Sequence, residues 1–267
     1  MAEEVLAYFE KDGDYLKPFP WARNPWTPTG THGRLCAGLI AREVERLFGS
    51  PDYHFTRLTT DLFRMAPLDR LQVRAQLIRD GNRIKVADGE VIDVNGVVVA
   101  RASAVLLKKF TPNPEGGIWK NPNWKVPHPD TLELPARNTS TWHDPIRQTK
   151  EIPAQPDGRK RCWIRDHGQL VLGEDMSPFV RVASQADYTN PFMHSSYNPV
   201  GFINADITMY LHRDTVGEWV GFEASAHQAT DGVAVGSTIM YDEHGPIGNS
   251  LVCSVADDRR RNRTGER

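Results

Sequence analysis

The strongest constraint on this chain is that it matches itself. Shifted by 149 positions, its two halves stay in step without a gap. Leu62 falls on Leu211, Arg64 on Arg213, Val73 on Phe222, Val86 on Val235, Gly96 on Gly245 and Val98 on Ile247. Most of these matches are chemical rather than literal, but two glycines at equivalent turns ask for the same backbone in both copies. One folding unit has been used twice, and the copies have diverged. The stretch Asn204 to Arg213 carries a carboxylate, Asp206, in one copy alone, an asymmetry expected when one half has kept the chemistry.

Bulk composition sets limits on what the repeat can be. At 267 residues, with 39% hydrophobic and 25% charged residues, the chain is an ordinary globular one, long enough for a sizeable core. Its 32 basic and 34 acidic residues leave a net charge of −2. No basic excess remains for nucleic acid or an anionic membrane. Apolar runs such as Val97 to Ala100 fall far short of the roughly 20 residues of a membrane helix. The acidic start Met1-Ala2-Glu3-Glu4 lacks the order of a signal peptide, and Cys36, Cys162 and Cys253 lack metal or disulfide spacing. The expectation is a cytoplasmic protein with reduced thiols.

Local patterns divide each half in the same way. Ala7–Glu10 and Tyr15–Pro18 read as strands about an Asp-Gly turn, and a helix is expected from about Arg34 to Phe48, stopped by Gly49-Ser50-Pro51. Strands follow near Phe55–Met65, Arg70–Arg79, Ile84–Asp93 and Val97–Lys108, with Asp80-Gly81-Asn82 and Asn95-Gly96 as hairpin turns. Residues 111–156 hold nine of the 19 prolines and read as a linker, with Trp119, Trp124 and Trp142 to hold it against the surface. The pattern then restarts with strands at Lys160–Arg165 and Gln169–Leu172. A helix is capped by Ser177 and opened by Pro178, and Asp187 to Pro199 reads as irregular. Strands at Phe202–Arg213, Glu218–His227, Val233–Asp242 and Ile247–Val255 complete the copy. One amphipathic helix beside four antiparallel strands is best buried by a sheet curved around it. That is the hotdog arrangement, here in tandem.

The sequence resembles the thioesterase-like proteins of the acyl-CoA thioesterase II group along nearly its whole length. The resemblance rests on Glu10-Lys11-Asp12-Gly13-Asp14, Asn24-Pro25-Trp26, His32-Gly33 and Leu77 to Asn82 in the first half. In the second it rests on Phe202 to Thr208, Leu211-His212-Arg213, Gly217-Glu218-Trp219, Asp231-Gly232 and Tyr241 to Pro246. It implies an α+β double hotdog, with halves at 1–110 and 157–267 about the linker 111–156. It further implies hydrolysis of an acyl-CoA thioester by activated water, without cofactor or metal. Carried over from the family, the water-activating Asp is Asp206 and its hydroxyl partner is Ser225. The family's Gln falls near Val252 or Cys253, where this chain has none, and Gln228 is an alternative source of an amide.

The residues have other readings too. Asp206 can cap a strand or pair with His212 or Arg213, and Cys253 reads as a buried strand cysteine rather than a nucleophile. Backbone N–H groups at Gly33 and Arg34 suit a developing oxyanion, because helix N-termini leave them free. The same Gly33 also serves a plain turn, and His32 is either an accessory polar group or structural. Asp187 to His194 is similar to the Asp-x-Asn-Pro-x-His motif of hotdog enoyl-CoA hydratases, but with the Asp and His seven residues apart rather than five. A weak or inactive acyl-CoA-binding protein is the remaining alternative. Sheet edges of such folds pair readily, which predicts a homo-oligomer.

Overall fold

The computed structural model describes residues 5–25, 27–111, 126–134, 144–153, 158–194 and 201–257. Its first half runs β1 (Ala7–Asp12), β2 (Tyr15–Pro18), α1 (Gly33–Phe48), β3 (Tyr53–Leu62), β4 (Leu71–Asp80), β5 (Ile84–Asp93) and β6 (Val98–Lys108). The second half begins with β7 (Arg147–Ile152), β8 (Arg161–Asp166), β9 (Gln169–Val171), α2 (Pro178–Gln185) and α3 (Thr189–His194). It ends with β10 (Phe202–Asn204), β11 (Asp206–Leu211), β12 (Val220–Thr230), β13 (Val233–Asp242) and β14 (Gly245–Ala256). All fourteen strands form one sheet in the order β7-β8-β12-β13-β14-β11-β3-β6-β5-β4-β2-β1-β9, with β10 beside β14. Each half is an antiparallel sheet around a central helix, the tandem hotdog.

The repeat becomes a symmetry axis. β3 and β11 pair antiparallel across the middle of the sheet, with Asp206 opposite Asp61, Thr208 opposite Thr59 and Tyr210 opposite Arg57. Thr59 and Thr208 are repeat-equivalent and face each other, their hydroxyls 3.4 Å apart. A pseudo-twofold axis therefore passes between them. Gly96 and Gly245 adopt φ of 79° and 120°, so the equivalence of these two turns is one of backbone conformation.

Helix α1 forms because its apolar face is continuous. Leu35, Leu39, Ile40 and Val44 are fully buried, each gaining about 1.5–3 kcal/mol from leaving water. Gly38 lets α1 approach α2, since a Cβ there would collide with Ser184 Oγ. Ser177 Oγ caps α2 by accepting from Val180 N at 3.2 Å, with Pro178 in the first turn.

Three local expectations change. Strand β7 lies inside the stretch read as linker and pairs with β8 along its whole length; Trp119, Trp124 and Trp142 fall outside the described residues, as does Trp26. The segment from Asp187 is helical, with a 3-10 turn at Ala186–Tyr188 running into α3. The strand expected over Phe202–Arg213 breaks at Ala205, where pairing with β14 slips by one residue between β10 and β11. A slip of this kind turns the following side chains to the other face.

Two residues, His167 and Gly168, separate β8, next to one end of the sheet, from β9 at the other end, where β9 pairs parallel with β1. The sheet thus curls until its ends meet. A Cβ on Gly168 would lie 2.5 Å from Leu6 O, so the junction requires glycine. A buried ion cluster closes it. Arg34 Nη1 donates to Asp166 Oδ2 at 2.9 Å and Nη2 to Asp144 Oδ2 at 2.8 Å. Tyr8 Oη accepts from Arg34 and donates to Asp144. Arg147 Nε adds a contact to Asp166 at 3.3 Å. Burial alone would push the Asp166 carboxyl up, but Arg34 and Arg147 outweigh it and hold the group below its usual range.

Candidate active site

Of the expected site residues, Asp206, His32 and Gly33 lie at the seam between the halves, and the sheet divides them. Ile207, Met209 and Leu211 are buried on the helix side of β11, so Asp206, Thr208 and Tyr210 belong to the other face. Asp206 is half-buried at the start of the strand. Its Oδ1 accepts the N–H of Cys253 at 2.7 Å, and Thr208 Oγ1 lies 3.5 Å from its Oδ2. It pairs with neither basic neighbour. Arg213 instead donates to Asp242 Oδ1 at 2.7 Å, and His212 Nε2 is bonded to Pro246 O. Cys253 lies on a strand as expected but is exposed rather than buried, because alternation along β14 puts Val252 inside. Burial and the Asp206 carboxylate push its thiol up to about 11, which disfavours a thiolate nucleophile.

On the helix side stands the N-terminus of α1. His32 is its cap, and Nδ1 accepts from Arg34 N at 3.4 Å while His32 O accepts from Leu35 N at 3.0 Å. The N–H of Gly33 has no acceptor among the described residues. Gly33 packs on Leu62, the last residue of β3, and Leu62 N donates to Ala205 O at 2.8 Å, one residue before Asp206. The start of α1 and the start of β11 are therefore joined through one residue.

Behind His32 lies a further buried carboxylate that no local pattern in the sequence pairs with it. Asp187, buried in the 3-10 turn, lies 3.7 Å through Oδ2 from His32 Nδ1 and accepts at Oδ1 from Asn204 Nδ2 at 2.8 Å. Burial raises its carboxyl, and burial, reinforced by Arg34 and Arg147, holds the His32 imidazole well below its ordinary range.

The family profile of the acyl-CoA thioesterase N-terminal domain matches residues 22–107, and that of the C-terminal domain matches residues 123–251. The chain belongs to the acyl-CoA thioesterase family. Solved structures agree in fold. A candidate thioesterase from Novosphingobium aromaticivorans superposes with a TM-score of 0.73 at 16% identity, over 95% of this chain and 100% of its own. A hot dog fold protein from Alicyclobacillus acidocaldarius gives 0.70 at 14% identity, over 93% and 95%. Acyl-CoA thioesterase II TesB2 from Mycobacterium marinum gives 0.62 at 15%, over 84% and 90%. No protein of curated function matches the sequence.

Within this acyl-CoA thioesterase fold, several expected residues are not brought to the seam. Ser225 is exposed on β12, its Oγ 2.7 Å from Ser237 Oγ. From β12 to β11 the sheet crosses three strand spacings, roughly 14 Å at ~4.8 Å each. Gln228 is exposed on the same strand, opposite Val235, and equally remote. The Arg34 side chain is fully buried against Asp144 and Asp166, so it is not offered to a ligand. Asp187 and His194 do not converge either. Asp187 faces His32 and Asn204, whereas the ring of His194 packs on Phe202 and His227 at 5.2 and 5.0 Å.

Proposed function

We propose that this chain hydrolyses the thioester of an acyl-CoA at the seam, releasing a carboxylic acid and free CoA. The observation that carries the reading is the N–H of Gly33, without an acceptor among the described residues, at the positive end of α1 and one residue's packing away from the start of β11. At the end of the seam, where β3 stops at Leu62 and β11 begins, Asp206 takes a proton from water and the resulting hydroxide adds to the thioester carbonyl, while the Gly33 N–H, reached past that end from the helix side, receives the developing oxyanion. The tetrahedral intermediate then collapses with loss of the CoA thiolate, which is protonated as it leaves. Glycine suits the position because a carbonyl can approach its backbone closely.

A second reading, acyl-CoA binding without efficient turnover, is favoured by one observation. The side chains expected to orient the water beside Asp206 stand three strands away, and Cys253 occupies the place of the amide. A thiol-release assay over short, medium and long acyl-CoAs separates the two. Hydrolysis on at least one chain length is expected, with Asp206→Asn lowering kcat by ~10²–10⁴-fold. Binding of acyl-CoA with no turnover on any chain length would establish the second reading instead. Unchanged kcat in Asp206→Asn would remove Asp206 from the chemistry.

A further inference from the structure

We infer that Asp187 is a positioning residue that locks the start of α1 to the start of β11, and so fixes the two reacting sides of the site relative to each other. The inference rests on the hydrolase reading given above. One carboxyl group touches both sides. Through Oδ2 it packs at 3.7 Å against His32 Nδ1, which itself caps α1 at Arg34 N. Through Oδ1 it accepts from Asn204, and the same Asn204 Nδ2 reaches Asp206 O at 3.1 Å. Asp187 belongs to neither element. It comes from the 3-10 turn behind α2, which Ser250 Oγ holds by donating to Ala186 O at 3.0 Å.

Burying a carboxyl group here is expensive unless its hydrogen bonds are made, and an apolar residue would fill the turn more cheaply. The contacts that Asp187 does make run to the helix cap and to the residue before the bend at Ala205. Both determine where the Gly33 N–H and the Asp206 carboxylate point. A displacement of about 1 Å between such groups is enough to slow a reaction by ~10²-fold. Burial favours the neutral forms of both Asp187 and His32. An asparagine at 187 would therefore keep the shape and the acceptor, whereas leucine would keep the volume alone.

The test compares Asp187→Leu and Asp187→Asn in steady-state thiol release, together with ¹⁵N spectra of the His32 ring and the Asn204 side-chain amide. Asp187→Leu is expected to lower kcat at least about tenfold with KM within about threefold, to shift both nitrogen signals, and to be rescued by Asp187→Asn to at least about a third of wild-type kcat. Wild-type turnover with unchanged kcat in Asp187→Leu would overturn the inference and leave the hydrolase reading standing. Absence of turnover in the wild-type protein would sink the hydrolase reading, and the inference that depends on it, while the spectra still decide the contact itself. Unmoved His32 and Asn204 signals in Asp187→Leu would overturn the lock in either case. Should Asp187→Leu fail to fold, Asn204→Ala is read in the same assay, where an unchanged kcat overturns the inference equally.

Discussion

Replacing Arg34 by methionine tests whether the buried ion cluster holds the curled sheet closed. The guanidinium lies 2.8 Å from Asp144 Oδ2 and 2.9 Å from Asp166 Oδ2, and all three side chains are at most 1% exposed. Without it, Asp166 keeps Arg147 at 3.3 Å, but Asp144 keeps only neutral donors among its described contacts, the Tyr8 hydroxyl and the N–H groups of Ile146 and Arg147. Removing one partner of a buried pair costs about 3–5 kcal/mol. Because Arg147 still serves one carboxylate, the expected loss is near the lower end, about 3 kcal/mol. With a urea m-value of roughly 3 kcal/mol/M for a chain of this size, the midpoint should fall by about 1 M. Circular dichroism across a urea series measures it. Adding Asp144→Asn to Arg34→Met should recover more than half of the loss, because the stranded charge is then gone. The pH dependence follows from the depressed Asp166 carboxyl. Its contribution is present above the unfolded pKa of ~3.9 and lost as pH falls through the lower folded value. The gap between wild type and Arg34→Met should therefore narrow in acid. A loss under about 1 kcal/mol at neutral pH, or no recovery with Asp144→Asn, would refute the reasoning.

Other outcomes follow from the packing. Gly38→Ala should destabilise by about 1–3 kcal/mol, since its Cβ meets Ser184 Oγ, and Ser184→Ala should relieve much of that; equal midpoints for wild type and Gly38→Ala would contradict the close helix approach. Gln185 is fully buried, and neither polar atom of its amide has a partner among the described residues. Gln185→Met should accordingly leave thermal stability unchanged or raise it by up to about 1–3 kcal/mol, and a marked fall would show that the amide is satisfied in solution. Burial depresses His32, and it depresses His194 to about 4, helped by His227. The unfolded chain takes up protons near pH 6.5 that these folded imidazoles refuse, so stability present above pH 6.5 drains as pH falls toward 4. Urea midpoints at pH 7 and pH 5 check this, and equal midpoints would contradict it.

Much of the fold was legible because its signals are local. The hairpins follow from Asp-Gly and Asn-Gly turns, α1 from its apolar period, and the two tandem halves from the repeat; that the repeat-equivalent Thr59 and Thr208 meet at the axis is visible only in the structure. The stretch holding β7 was obscured by prolines, although Arg147–Ile152 itself contains none. Ser225 lies away from Asp206 for a physical reason: β12 follows β11 along the chain but stands three strands from it in the sheet, and strand order is not written in local pattern. Asp206 opens the strand that pairs across the seam, and the bend at Ala205 sets its face. The contact of His32 with Asp187, and of Arg34 with Asp144 and Asp166, had no signal in the sequence because spacing along the chain says nothing about partners more than a hundred residues away. The sequence around Asp187 carries only a motif-like stretch that pairs it with His194, whereas the fold sets it beside His32.

The exchange of β9 onto β1 has a consequence in time as well as in space. Translation delivers the first half long before the residues that finish it. When residue 110 has emerged, β1 has β2 on one side and an open edge on the other, and Arg34 has neither of its carboxylates. These arrive with Asp144, Asp166 and Gln169–Val171, about thirty to sixty residues later. The nascent first half must therefore wait with a bare cation at the start of its helix and an unpaired strand at its rim. That interval is when a neighbouring chain can add a strand in place of β9, and when a chaperone has most to shield.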